Sequence, residues 1–242
     1  MRQGSAPQLV RCLRLVAPWY AVWLCGIGWE PAHAEERPVI DGAALERQLL
    51  DLGLVDAQRL VPTLMVELRY STPDNFMHAD AYGDFARCYL QPGVAKQLAA
   101  AAQALAQARP GTTLLAYDCV RPRRVQQIMW ELVKGTPEQR YVASPKAGSI
   151  HNFGAAVDLT LADLHGQPLD MGSPYDFFGD AAEPRHEARL LATGHLNTEQ
   201  LEHRKLLRRV MVGAGFHSIP NEWWHFDAYS RAAAKERFAI VE

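Results

Sequence analysis

Ser149-Ile-His151-Asn-Phe-Gly154-Ala-Ala156-Val-Asp158 is the stretch from which the rest of the chain can be read, and Asn221-Glu222-Trp-Trp-His225 is its distant complement. The first has the form S-x-H-x-x-G-x-A-x-D and the second E-x-x-H. The spacing of His151 and Asp158 does not fit one face of a helix. It fits a loop residue and a strand residue brought together by a turn at Gly154, where the backbone can pass close to a metal. An aspartate between Val157 and Leu159 is costly to bury unpaired, which favours a ligand over a simple ion pair. His225 alone, between Trp224 and Phe226, reads as a core histidine, but Glu222 three residues earlier supplies an acid suited to general-base work on water. Two imidazoles and one carboxylate, His151, His225 and Asp158, are the ligand set of a catalytic zinc with one open position. The two segments predict a zinc hydrolase with one Zn2+ per chain, although iron or cobalt accepts the same donors.

Outward from this stretch, Ala155 to Leu161 reads as the strand carrying Asp158, and the polar residues 134–150 as the loop delivering His151. Upstream, Pro122 opens a helix bearing Val125, Ile128, Met129 and Leu132 at helical spacing, and Thr112 to Tyr117 is a short apolar strand. Pro92 opens an alanine-rich helix that stops at Pro110. Leu64 to Tyr70 reads as a strand ending at the turn cluster Ser71 to Asn75, and Asp41 to Leu54 as a short helix. Downstream, residues 162–197 form a long connection, Thr198 caps a helix to about Val212, and Gly213 and Gly215 end it. Phe216 to Ile219 and Trp223 to Asp227 are two strands joined at Pro220-Asn221. This order lacks a regular strand-helix alternation, so the expectation is a single α+β domain with a mainly antiparallel central sheet flanked by helices, the zinc site lying at the sheet.

The start of the chain reads as an export signal. Arg2, Arg11 and Arg14 precede a largely apolar run from Leu15 to Gly28, and Ala32-His33-Ala34 has the form of a cleavage site, so residues 1–34 are expected to be a signal peptide and residues 35–242 the mature domain. Pro18 interrupts the run, which falls short of the ~20 apolar residues of a spanning helix. Removing three arginines and one glutamate moves the formal charge from −2 to −4, which gives no electrostatic reason to expect nucleic acid as a partner. No second stretch is long enough to span a membrane, so a soluble mature chain is expected, and its expected partners are small. Cys88 and Cys119 remain in the mature chain, as a disulfide or as two buried thiols; neither stands in a C-x-x-C arrangement.

Tyr117-Asp118-Cys119-Val120-Arg121-Pro122 forms a third cluster. A cation is poorly placed at a helix start, so Arg121 invites another duty, such as stabilising the oxyanion of a tetrahedral intermediate.

These three segments, which follow one another along the chain as residues 117–122, 149–158 and 221–225, resemble the zinc D-alanyl-D-alanine dipeptidases, the group that includes the VanX enzymes. Leu68-Arg-Tyr70-Ser-Thr-Pro-Asp-Asn75-Phe76, Asp158-Leu-Thr-Leu161 and Met171-Gly-Ser-Pro-Tyr-Asp176-Phe-Phe178 extend the resemblance over roughly residues 60–230. It implies His151, Asp158 and His225 as zinc ligands, Glu222 as catalytic base and Arg121 as the transition-state arginine. It also implies that Tyr70, Asp118, Ser149 and Asp176 line the substrate pocket, with Asp176 suited to the free ammonium of a dipeptide. Val120 departs from the family, where an aromatic residue is common before the Arg-Pro pair, which draws attention to the pocket wall there.

The reaction so implied is hydrolysis of the dipeptide D-Ala-D-Ala to two D-alanines. An exported, periplasmic enzyme of this kind would serve peptidoglycan turnover and D-alanine salvage. The alternative is a related zinc D,D-carboxypeptidase or endopeptidase with a more open cleft for longer stem peptides. A non-catalytic zinc protein should lack the base or the arginine, and both are present.

Overall fold

Helix α1, Gly42–Asp51, starts where the Asp41 side chain accepts a hydrogen bond from the Ala44 amide. The computed structural model describes residues 40–242, so the expected signal peptide, residues 1–34, lies outside the described residues. Strand β1, Val55–Asp56, follows, and then β2, Met65–Val66, and β3, Tyr89–Leu90. Helix α2, Pro92–Ala108, begins with proline in its first turn and buries Val94, Leu98, Ala101 and Leu105, one stripe at helical spacing. Strand β4, Thr112–Asp118, leads to α3, Arg123–Val133. There Val125, Met129 and Val133 form the buried stripe, whereas Leu132, expected inside, is exposed. The interval of four from Val125 selects Val133 instead.

Strand β5 spans Ala156–Asp163, and the long connection after it contains a short helix, α4, Glu187–Ala192. Helix α5, Thr198–Gly213, is capped by Asn197 rather than Thr198: Asn197 and Gln200 exchange side-chain to backbone hydrogen bonds in a capping box. Strands β6, His217–Ser218, and β7, His225–Asp227, precede α6, Arg231–Arg237.

The main sheet has the order β2-β4-β5-β7-β6, with β1 and β3 in a separate antiparallel pair. It is a mixed sheet rather than the mainly antiparallel one expected. The β4–β5, β5–β7 and β6–β7 pairs are antiparallel, but β2 runs parallel to β4. Parallel neighbours need a long crossover, and the chain between β2 and β4 provides one that includes α2. The expected Leu64 to Tyr70 strand shrinks to two residues because the chain turns at Arg69–Ser71 into a 3-10 turn that carries Tyr70 inward.

One face of the sheet builds the apolar core: Leu114, Ala116, Val157, Leu159 and Leu161 pack in one cluster with Leu98 and Leu105 of α2 and Leu207 and Met211 of α5. Burial of this kind stabilises by roughly 25 cal/mol per Å² of apolar surface. The other face carries Leu115 and Asp158. An irregularity between Ala116 and Asp118 puts Asp118 directly opposite Asp158, although Ala116 pairs with Leu159. This extra residue, a bulge, turns Asp118 onto the Asp158 face.

Candidate active site

Three neighbouring strands bring the chemistry to one level. Asp118 at the end of β4 pairs with Asp158 on β5, and Asp158 pairs with His225 on β7. His151 arrives from a 3-10 turn, Ile150–Phe153, opened by Ser149, whose hydroxyl accepts from the His151 amide, and closed by Gly154 at φ 63°. A side chain at Gly154 would begin 2.6 Å from a Leu54 methyl, so this left-handed turn is reserved for glycine on two counts.

The three donor atoms converge. His225 Nδ1 lies 2.9 Å from Asp158 Oδ1, His151 Nε2 lies 3.2 Å from the same oxygen, and the two imidazole nitrogens are 3.1 Å apart. Tetrahedral ligands about 2.0–2.1 Å from a zinc ion stand roughly 3.3–3.4 Å from one another, so the triangle fits a small cation with slight expansion. The outer nitrogens are already spoken for. His151 Nδ1–H donates to the Cys119 carbonyl at 2.7 Å, and His225 Nε2–H donates to Asp227 Oδ1 at 2.8 Å, so the lone pairs of His151 Nε2 and His225 Nδ1 both face Asp158. Burial pushes the His225 imidazole toward its neutral form, yet Asp227 and Asp158 outweigh it and raise its proton affinity well above the ordinary value. Carboxylates on both sides of the imidazole make the position favourable to positive charge. The donor chemistry fits a metal ion.

Cys119, which supplies the carbonyl to His151, is joined to Cys88 by a disulfide, with Cα atoms 5.2 Å apart. The pair left open by the sequence is therefore bonded.

Glu222, in the loop before β7, lies beside the triangle, with Oε2 4.0 Å from His225 Nδ1. Burial is the main reason its carboxyl is pushed up to about 7; His225 pulls it down and Asp158 adds to the rise. A cation in the triangle acts in the opposite direction and favours the carboxylate.

Arg121 is anchored from behind. Its Nε and Nη2 hold Asp118 Oδ2 at 2.8 and 2.6 Å, and its Nη1 donates to Gln126 Oε1 at 3.0 Å. Of five N–H donors three are engaged, and the guanidinium borders the cavity with Nη2 3.5 Å from Asp158 Oδ2. Asp118 is fully buried: its other oxygen accepts from Tyr82 at 2.7 Å, and it is not among the residues lining the cavity. The structure thus puts Asp118 behind Arg121 rather than in the pocket wall. Val120 is likewise buried in a separate apolar cluster and forms no part of the wall.

The cavity has a volume of about 240 Å³ and is bordered by His151, Asp158, His225, Glu222, Arg121, Tyr70, Ser149 and Asp176. That is below the roughly 300–1,000 Å³ of pockets for drug-sized ligands. Tyr70 donates to Asp176 Oδ1 at 3.0 Å, while Asp176 Oδ2 is buried without a hydrogen-bond partner. Burial and the nearby Asp158 push the Asp176 carboxyl well above the ordinary carboxylate range, as expected for an acid awaiting a cationic partner. Asp176 also adopts a left-handed backbone conformation, φ 57°, which Asp tolerates better than most residues.

A profile of a peptidase family, M15, described as D-ala-D-ala dipeptidase, matches residues 50–241. The chain belongs to this family. It is a metallopeptidase. Among its relatives, the D-alanyl-D-alanine dipeptidase of Escherichia coli (strain K12) is 35% identical over 174 residues, covering 72% of this chain and 83% of the relative. A D-alanyl-D-alanine dipeptidase from Synechocystis sp. is 32% identical over 167 residues, 57% of this chain and 68% of its own length. That of Enterococcus faecium is 28% identical over 198 residues, 73% of this chain and 92% of its own length. M15 peptidases depend on a metal, in keeping with the donor triangle.

Two residues of the peptidase site escaped the sequence reading. Asp227 holds His225, and the polar-apolar-polar order His225-Phe226-Asp227, with only Phe226 in the core, is the signal that marks it. Tyr175 donates to Asp158 Oδ2 at 3.0 Å and lies 3.1 Å from the Tyr70 hydroxyl, so it steadies the carboxylate from outside the triangle. A second acidic group, Asp180, Glu183 and His186, also draws together, but Arg185 pairs with Glu183 and Arg189 with Asp180, so arginines already balance its charge. No helix among the described residues is long and apolar enough to cross a membrane.

Proposed function

We propose that this chain hydrolyses D-Ala-D-Ala to two D-alanines with one zinc ion held by His151, Asp158 and His225. The observation that carries the reading is the small cavity in which the donor triangle and Glu222 share a wall with Asp176, a buried carboxylate with one oxygen unpaired. A ligand that supplies both a carbonyl for a metal and a free ammonium for Asp176 is a short unblocked peptide, and the names of the relatives point to D-Ala-D-Ala among such peptides. Bound zinc would polarise the scissile carbonyl and acidify water. Asp176, itself held by Tyr70, would take the substrate ammonium, and Ser149 would border its polar end. Glu222 would accept the proton of the attacking water and return it to the leaving amine. Arg121 would direct its unengaged N–H groups at the developing oxyanion, with Asp118 keeping the guanidinium in place.

Residues 1–34 have the composition of a signal peptide, and a structural disulfide suits an oxidising compartment. Both support export and a periplasmic role in recovering D-alanine from wall fragments. The test is a product assay on the purified, zinc-loaded protein with D-Ala-D-Ala, L-Ala-L-Ala and a stem pentapeptide ending in D-Ala-D-Ala. Release of D-alanine from the free D,D-dipeptide is expected to dominate. Preferential cleavage of the pentapeptide would replace this reading with a carboxypeptidase.

A further inference from the structure

Glu183 is fully buried, yet the chemistry above makes no use of it. Its Oε1 accepts from the Tyr141 hydroxyl at 2.7 Å, and its Oε2 is held by Arg185 Nε at 2.6 Å and lies 3.1 Å from His186 Nε2. Tyr141 lines the metal cavity, as do Phe178 and Phe76. The Tyr141 and Phe178 rings stack 5.1 Å apart, and Phe178 meets Phe76 at 5.1 Å. Phe76 in turn meets the edge of Tyr70, the residue that holds Asp176. These rings therefore wall the part of the cavity where Asp176 stands, two residues before Phe178 in the chain.

The same wall is tied to the catalytic segments at both ends. The Ala143 carbonyl, just past Tyr141, accepts from Gln126, which also holds Arg121. The Ala182 carbonyl, just before Glu183, accepts from the Trp223 amide, next to Glu222. Glu183 is thus the buried post to which Tyr141, in the cavity wall, is tied.

We propose that Glu183 is a specificity-determining positioning residue: through Tyr141 it holds an aromatic wall beside Asp176 that admits a free ammonium but not an amino-terminal extension of the peptide. The inference rests on the dipeptidase reading and assigns to a particular contact the choice between a free dipeptide and a longer stem. A carboxypeptidase differs from a dipeptidase at this end of the substrate alone, since both release the same terminal D-alanine. Arg140 contributes from the solvent side, its guanidinium 4.8 Å over the Tyr141 ring and its Nη2 2.9 Å from the Tyr141 hydroxyl.

The test compares kcat/KM for D-Ala-D-Ala and for the tripeptide L-Ala-D-Ala-D-Ala in the zinc-loaded full chain, in Glu183→Ala, in Tyr141→Phe and in the double variant. Each single variant should raise the tripeptide-to-dipeptide ratio by about tenfold or more, the scale on which a pocket wall discriminates. The dipeptide loss should appear mainly in KM, and zinc content should not change. Because both changes cut one contact, the double variant should go no further than the stronger single one. Tyr141→Phe keeps the ring and guards against a folding defect in Glu183→Ala. An unchanged ratio in zinc-replete Tyr141→Phe and Glu183→Ala would overturn the proposal, as would full additivity of the two. Failure of the unaltered protein to cleave D-Ala-D-Ala would instead overturn the reading on which it rests.

Discussion

His151 Nδ1 stands 2.7 Å from the carbonyl oxygen of Cys119, and the sulfur of the same Cys119 is bonded to Cys88. The disulfide therefore fixes the peptide unit that orients a metal-facing imidazole, and it anchors that unit to the residue next to β3. A cross-link spanning 31 residues stabilises by roughly 3–4 kcal/mol on the chain-entropy account. Replacing both cysteines by alanine should lower the urea-unfolding free energy by about that amount. Metal affinity should fall as well, because His151 loses a fixed acceptor. Urea titrations with and without added zinc measure both effects.

Asp227 to Asn should weaken zinc binding by roughly 10–100-fold, the usual scale for a partner that orients a ligating histidine. Competition against a chelator reads this directly. A variant that binds as tightly as the unaltered protein would show that His225 needs no such partner.

The pH dependence of metal binding follows from His225. Its raised proton affinity means that an incoming cation displaces a proton, so affinity should fall as pH falls, by about tenfold per pH unit for each proton displaced. Removing the Asp227 carboxylate, the largest opposing influence to burial, should shift that dependence to lower pH.

Glu222→Gln should retain zinc and lose turnover by about 10²–10⁴-fold, the range for a positioned general base. In the unaltered enzyme the carboxylate is the active form, so kcat/KM should drop on the acid side. Burial places Glu222 at about 7 and a bound cation lowers it, so that limb should lie below neutrality. Isothermal binding and a pH–rate profile separate metal retention from turnover.

Arg121→Lys is a better probe than Arg121→Ala. Alanine would strand Asp118, which is fully buried, at a cost of about 3–5 kcal/mol for an ion pair broken from one side. Lysine keeps a charge but not the fork that grips Asp118 and Gln126. A fall in kcat of roughly 10²–10³-fold with little change in melting temperature is expected for a lost oxyanion donor.

Much of the site could be read from the sequence because its donors sit in two short segments with distinctive spacing. His151 and Asp158 flank a glycine whose left-handed turn joins them, and Glu222 and His225 share one loop-strand junction. Tyr175 and Glu183 were harder to see because their partners, Asp158 and Tyr141, lie 17 and 42 residues away and meet them through the irregular connection after β5. Asp118 was visible as a polar residue near the site, but its burial behind Arg121 depends on a strand irregularity that alternation does not reveal. The parallel placement of β2 was missed for a related reason: two residues pair there, too few for a pattern.

The extra residue in β4 separates two occupations of a single strand. Leu114 and Ala116 belong to the greasy interior, and two positions later Asp118 looks toward the reacting centre instead of joining them. Were Tyr117, the residue without a partner in the register, taken into the ladder opposite Asp158, strict alternation would swing the following carboxylate to the side of Val157. The register of β4, as much as its composition, thus keeps the reacting centre and the interior apart.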